Sequence, residues 1–201
     1  MIGRRRRDSG QAFPIYVVMV AGLLFLAVAF FAVGKASALR NGAQGAADAA
    51  ALAAAQQARE DFEAPFLASL PESMLDLFLK AHAVNGCSAA YQLAEANQAD
   101  VTSCLPIPGG DRDRIKVGVK GRKTVDSSVI PGSKSKIATA HATAVIEFRC
   151  SWKSVDLNDD SVQDVYFFTC KNGGMLEIRP SSPPPWSQVS KILFDVHLID
   201  D

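Results

Sequence analysis

Between Ile15 and Val33 the chain reads IYVVMVAGLLFLAVAFFAV, nineteen residues without a charge, Asn, Gln, Ser or Thr. About 20 such residues in a helix cross the ~30 Å hydrocarbon core of a bilayer, so this run constrains the fold more than any other feature. Arg4 to Arg7 precede it, and only Lys35 and Arg40 follow it closely. That asymmetry predicts a cytoplasmic N-terminus and places everything after Lys35 outside the cell. Tyr16 then sits at the inner interface. A cleaved signal peptide is the rival reading, with Ala36-Ser37-Ala38 as its small-x-small site. The apolar run, however, exceeds the usual 7–15 residues of a signal core.

No helix breaker ends the span. Ala, Gln and Leu continue it through GKASALRNGAQGAADAAALAAAQQAREDFEAPF, and these are good helix formers. One helix is predicted from Ala12 or Pro14 to Glu63, stopped by Pro65. At 1.5 Å per residue it is about 75 Å long. The organisation expected is a basic cytoplasmic segment (1–11), a membrane helix (12–35), an Ala-rich extension (36–64) and an extracellular domain (65–201).

Downstream, Ser69-Leu70-Pro71-Glu72 has the form of a capping box and predicts a helix to Ala83. Another helix is expected from Ser88 to Ala96. After residue 100 the apolar period changes from 3.6 to 2. Ile115, Val117 and Val119 alternate with polar or small residues, and Ala138 to Cys150 alternates most clearly. Val165–Thr169, Met175–Ile178 and Ile192–Leu198 read as further strands. Turns are marked by Pro131-Gly132, by 172–174 and by Pro183–Pro185. The fold class is therefore α+β: a long N-terminal helix, short helices, then an antiparallel sheet.

Together these features resemble the TadE/TadG-like family of tight-adherence (Flp) pilus assembly proteins, particularly its actinobacterial TadG-like branch. The resemblance is carried by Arg4–Arg7, the stretch Asp8 to Tyr16, Arg40-Asn41-Gly42-Ala43-Gln44, and Ala47-Asp48-Ala49-Ala50-Ala51-Leu52-Ala53-Ala54-Ala55. It implies a minor pseudopilin-like or accessory subunit of a pilus or secretion apparatus, with the membrane and other pilin-like or Tad subunits as partners. Gly10 is the possible prepilin-type processing site. The fifth residue after it is Ile15 rather than the Glu of processed pilins, which fits the often unprocessed TadG-like branch. A membrane-tethered domain that binds cell wall or another surface ligand is the alternative.

Four cysteines, all C-terminal to the span, suggest an oxidising compartment. Each local pair flanks a short segment, so Cys87–Cys104 and Cys150–Cys170 are the expected disulfides. Asp156, Asn158, Asp160 and Asp164, with the Val162 carbonyl, have the spacing of a calcium loop. An acidic, solvated hairpin tip explains the same residues. No other cofactor is implied.

An enzyme is not expected. His82, His141 and His197 are scattered and read as surface residues, and Ser133-Lys134-Ser135-Lys136 lacks the companion motifs of a serine–lysine hydrolase. With 21 basic and 21 acidic residues the chain has no net charge, which argues against nucleic-acid binding. Finally, Ala47, Ala51, Ala55 and Ala58 lie on a different side of the extension from Ala46, Ala50 and Ala54. The alanine face of one strand covers a single side, so the first four are expected to contact a partner helix.

Overall fold

The structure is a computed structural model and describes residues 12–124, 136–171 and 173–200. Gly10, Arg4–Arg7 and the Pro131-Gly132 turn lie outside the described residues.

Helix α1 (Ala12–Asp61) is continuous through the apolar run and the Ala-rich extension. Pro14 is tolerated because the first turn has no intrahelical acceptor for its missing N–H. The other end breaks earlier than expected. Pro65 has no N–H for the Asp61 carbonyl, so the chain kinks at Phe62. It resumes as α2 (Glu63–Ser69), with Pro65 in the first turn. The expected capping box does not form, because Ser69 closes α2. Its hydroxyl donates back to the Phe66 carbonyl (2.7 Å). A turn through Ser73, at φ 55°, leads into α3 (Leu75–Ala81). Helix α4 (Cys87–Ala96) follows as predicted.

Then come β1 (Ala99–Ile107), β2 (Arg112–Thr124), β3 (Ile137–Phe148), β4 (Cys150–Val155), β5 (Val165–Cys170), β6 (Met175–Ile178), α5 (Trp186–Leu193) and β7 (Phe194–Ile199). Strands β1-β2-β3-β7 form one antiparallel sheet and β4-β5-β6 a second. The α+β architecture stands. The strands divide into two sheets where one was expected, α5 was not expected, β1 shows no clean alternation, and Ile192 belongs to α5, the last strand starting only at Phe194.

The extension is the central helix of the domain. It packs against β2, β3, α4 and β7. Around residues 43–58 the core is thin and made of small residues, with Ala90 and Ala94 of α4 on one side and Ala142 and Ala144 of β3 on another. Beyond Asp61 it thickens into an aromatic cluster of Phe62, Phe66, Phe78, Phe148, Phe168, Trp186 and Phe194. Phe66 and Trp186 have ring centroids 5.4 Å apart, and Phe62 and Phe194 5.5 Å. Polar tips are satisfied here: Trp186 Nε1 donates to the Arg59 carbonyl (3.2 Å) and Tyr166 Oη to that of Leu70 (2.7 Å). In contrast, the side chains from Phe13 to Val33 stand exposed almost throughout, Phe25 at 66% and Phe30 at 74%.

Candidate functional site: the long helix and its junction with the domain

Ala47, Ala51, Ala55 and Ala58 are each 0% exposed, as are Ala50 and Ala54. The expectation that the first four contact a partner helix is therefore corrected. The sheet covers one side of α1 and α4 covers another, so both alanine stripes are core of this chain. Small residues are required there because backbones meet. A Cβ on Gly86, at the start of α4, would collide with the backbone carbonyl of Ala54.

The side of α1 left open is a third one. Asn41, Gly45 and Gln56 are exposed, and Asp48, Ala49 and Leu52 are half-buried. Gly22, Gly34, Gly42 and Gly45 have no atom within 4 Å of where a Cβ would stand, so nothing in this fold requires glycine there. Gly34, Gly42 and Gly45, spaced i, i+8 and i+11, share one side of the helix.

Both expected disulfides are present. Cys87–Cys104 ties α4 to β1, and Cys150–Cys170 joins directly paired residues of β4 and β5.

The acidic loop joins β4 to β5, and its carboxylates are occupied by its own backbone. Asp156 accepts from the N–H groups of Asp159 (2.8 Å) and Ser161 (2.9 Å), Asp160 from that of Val162 (2.8 Å), and Asp164 from that of Leu157 (2.8 Å). Asp159 and Ser161 adopt positive φ, which these turns need. Among the described residues no group of three or more His, Cys, Asp or Glu is placed to hold a metal ion. Asp156, Asn158, Asp160 and Asp164 thus build a hairpin tip and are not gathered as a calcium site.

One polar site escaped the sequence reading. His82 is buried, its side chain only 3% exposed. Its Nδ1 lies 2.7 Å from the Phe78 carbonyl and its Nε2 2.7 Å from Asp113 Oδ2. Asp113 Oδ1 accepts the Gly109 N–H at 2.8 Å. The ring stacks on Phe78 and meets Phe62 edge-on. A signal existed: His82 falls four residues after Phe78, on the apolar side of α3. His197, by contrast, is half-exposed with Nδ1 3.2 Å from Asp195.

Two open clefts flank α3. One, of about 810 Å³, is bordered by Asp76, Lys80, Trp152, Lys171 and the Cys150–Cys170 bridge. The other, of about 700 Å³, runs over Pro65, Met74, Leu77 and Phe78.

The apolar half of α1 is one helix long and apolar enough to cross a membrane. No curated relative and no solved structure matches the chain. Residues 10–57 match the family described as putative Flp pilus-assembly TadE/G-like. That stretch covers the apolar run and the Ala-rich helix around which the domain folds, so the likeness to this family lies in α1.

Proposed function

We propose that this protein is a membrane-anchored, pseudopilin-like or accessory assembly subunit of a Tad/Flp-type pilus or secretion apparatus. In this reading α1 is a single-pass anchor with a cytoplasmic N-terminus and an extracellular domain. It meets neighbouring subunits along its open side. The proposal is non-enzymatic and invokes no cofactor.

The observation that carries it is the set of glycines with open space around them. A glycine inside a helix costs about 1 kcal/mol relative to alanine, and this fold gains nothing from Gly34, Gly42 or Gly45. Close approach of another helix would use all three. The family match over the same helix supports a pilus-assembly context. Gly45→Leu should leave melting of the chain unchanged or slightly raised, because the new side chain meets nothing. It should also abolish co-purification with the Tad membrane subunits. Undiminished co-purification would sink the subunit contact. It would favour the second reading, a tethered binding domain, for which the Trp152-bordered cleft is the natural site.

A further inference from the structure

We infer that the end of the domain nearest the span is a basic surface that docks on anionic lipid headgroups; this rests on α1 being the membrane anchor. The apolar run ends at Val33, and the domain begins almost at once. Ala38 and Gly42 of α1 share a crevice with Arg122, Lys123 and Ala138. At 1.5 Å per residue Ala38 stands about 8 Å past Val33. The headgroup layer is about 5–7 Å deep on each side of the hydrocarbon. This end of the sheet therefore lies at or just above the headgroups.

The direction of β3 brings its first residues closer still. Ala138 lies opposite Ala38 and Gly42, and the His141 carbonyl accepts from Gln44 Nε2 at 3.3 Å. Strand β3 thus runs away from the membrane alongside α1. Lys136, two residues before Ala138, is about 7 Å nearer the bilayer by strand rise. Lys123 is at the same end, because its neighbour Thr124 pairs with Ile137.

Among the described residues, positive charge is in excess at this level. Lys35 is half-buried on α1, while Arg40, Lys123 and Lys136 are exposed. None of the four has a carboxylate partner among the described residues. Arg122 is held by Asp100 (2.7 Å) and Glu95 (3.4 Å), which offsets one of those two negative charges and leaves the four cations in excess. The next acid on α1, Asp48, stands about 15 Å further out than Ala38 and is bonded by Gln44. Four cations that no described carboxylate pairs, within a Debye length of about 8 Å of a surface, respond to its charge. Docking here would also fix the tilt of the domain on its anchor.

The test uses the full chain in nanodiscs of phosphatidylcholine alone or mixed with phosphatidylglycerol. Amine-reactive footprinting reads Lys35, Lys123 and Lys136, with Lys153 on β4 as the distant control. Several-fold lower labelling of the first three in the anionic discs, restored by high salt and absent at Lys153, is expected. A Lys123→Glu, Lys136→Glu double variant should melt as the parent does and lose the protection at Lys35. Equal labelling in both discs overturns the docking surface and leaves the anchor standing. Equal protection in neutral discs by a soluble polyanion also overturns it, in favour of an anionic polymer. Failure of the chain to float with phosphatidylcholine vesicles removes the anchor itself, and the docking surface with it.

Discussion

Gly86 packs directly on the backbone of Ala54, its Cα facing the carbonyl with no room for a Cβ. This contact sets how closely α4 approaches α1, and with it the spacing of the alanine layer between them. The disulfide from Cys87, the next residue, then locks the start of α4 to β1. Gly86→Ala must push α4 outward and open voids around Ala90 and Ala94. Overpacking of this kind costs about 1–3 kcal/mol, which thermal or denaturant melts of the purified chain will read. A melt equal to the parent's would mean that α4 is free to shift.

The buried alanines of the extension make a related prediction with a different outcome from the one their sequence suggests. Ala51 is 0% exposed within this chain. Ala51→Leu should therefore destabilise the domain by about 1–3 kcal/mol, through forced rotamers and backbone shifts. The exposed Gly45 of the same helix should tolerate leucine. Comparing the two variants by circular-dichroism melts separates core from contact surface on one helix. Equal stability of both would contradict the packing described.

Where sequence failed and succeeded follows from this helix. The apolar run and the Ala-rich extension were legible because nothing in them breaks a helix before Pro65. Strand β3 was legible because its alanines alternate with Thr139, His141 and Thr143. What could not be read was whose backbone an alanine stripe meets. Small residues report close approach, not the identity of the partner, and here α4 supplied the second cover. The Ser69-Pro71-Glu72 pattern misled because a serine serves equally at a helix end, where its hydroxyl bonds the preceding turn. Helix α5 was missed because Pro183–Pro185 reads as a turn. Trp186, Val189, Ser190 and Leu193 nevertheless have helical spacing and are all buried. The polar pair at His82 was hidden because its partner, Asp113, lies 31 residues away.

The two disulfides close short loops, with 17 and 20 residues of separation. Loops of this length typically stabilise by about 3 kcal/mol each, mainly by restricting the unfolded chain. Ser substitution of Cys87 together with Cys104 should lower the melting temperature more than substitution of Cys150 with Cys170. The first bridge joins a helix to the large sheet, whereas the second spans strands already paired. The reverse order in calorimetric melts would show that the β4–β5 hairpin relies on its bridge.

The His82–Asp113 pair predicts how stability changes with pH. The Phe78 carbonyl can only accept, so Nδ1 carries a proton. Nε2 faces Asp113 Oδ2, so the doubly protonated ring donates to both partners at once. Burial alone would lower the His82 pKa. Hydrogen bonds to Asp113 and Phe78, with the Asp113 charge, outweigh it and hold the pKa above its ordinary value. A raised folded-state pKa means that the contribution is fully present below the unfolded value of about 6.5. It is lost as pH rises through the folded value. Melting temperature should therefore fall as pH rises above about 6.5. In His82→Gln, which cannot titrate, that part of the slope should vanish. His82→Ala goes further and leaves Asp113 buried without its cation, at a cost of about 3–5 kcal/mol. Restoring neutrality with Asp113→Asn in the His82→Ala background should recover part of that loss. Parallel pH profiles for the parent and His82→Gln would rule out an imidazolium at this position.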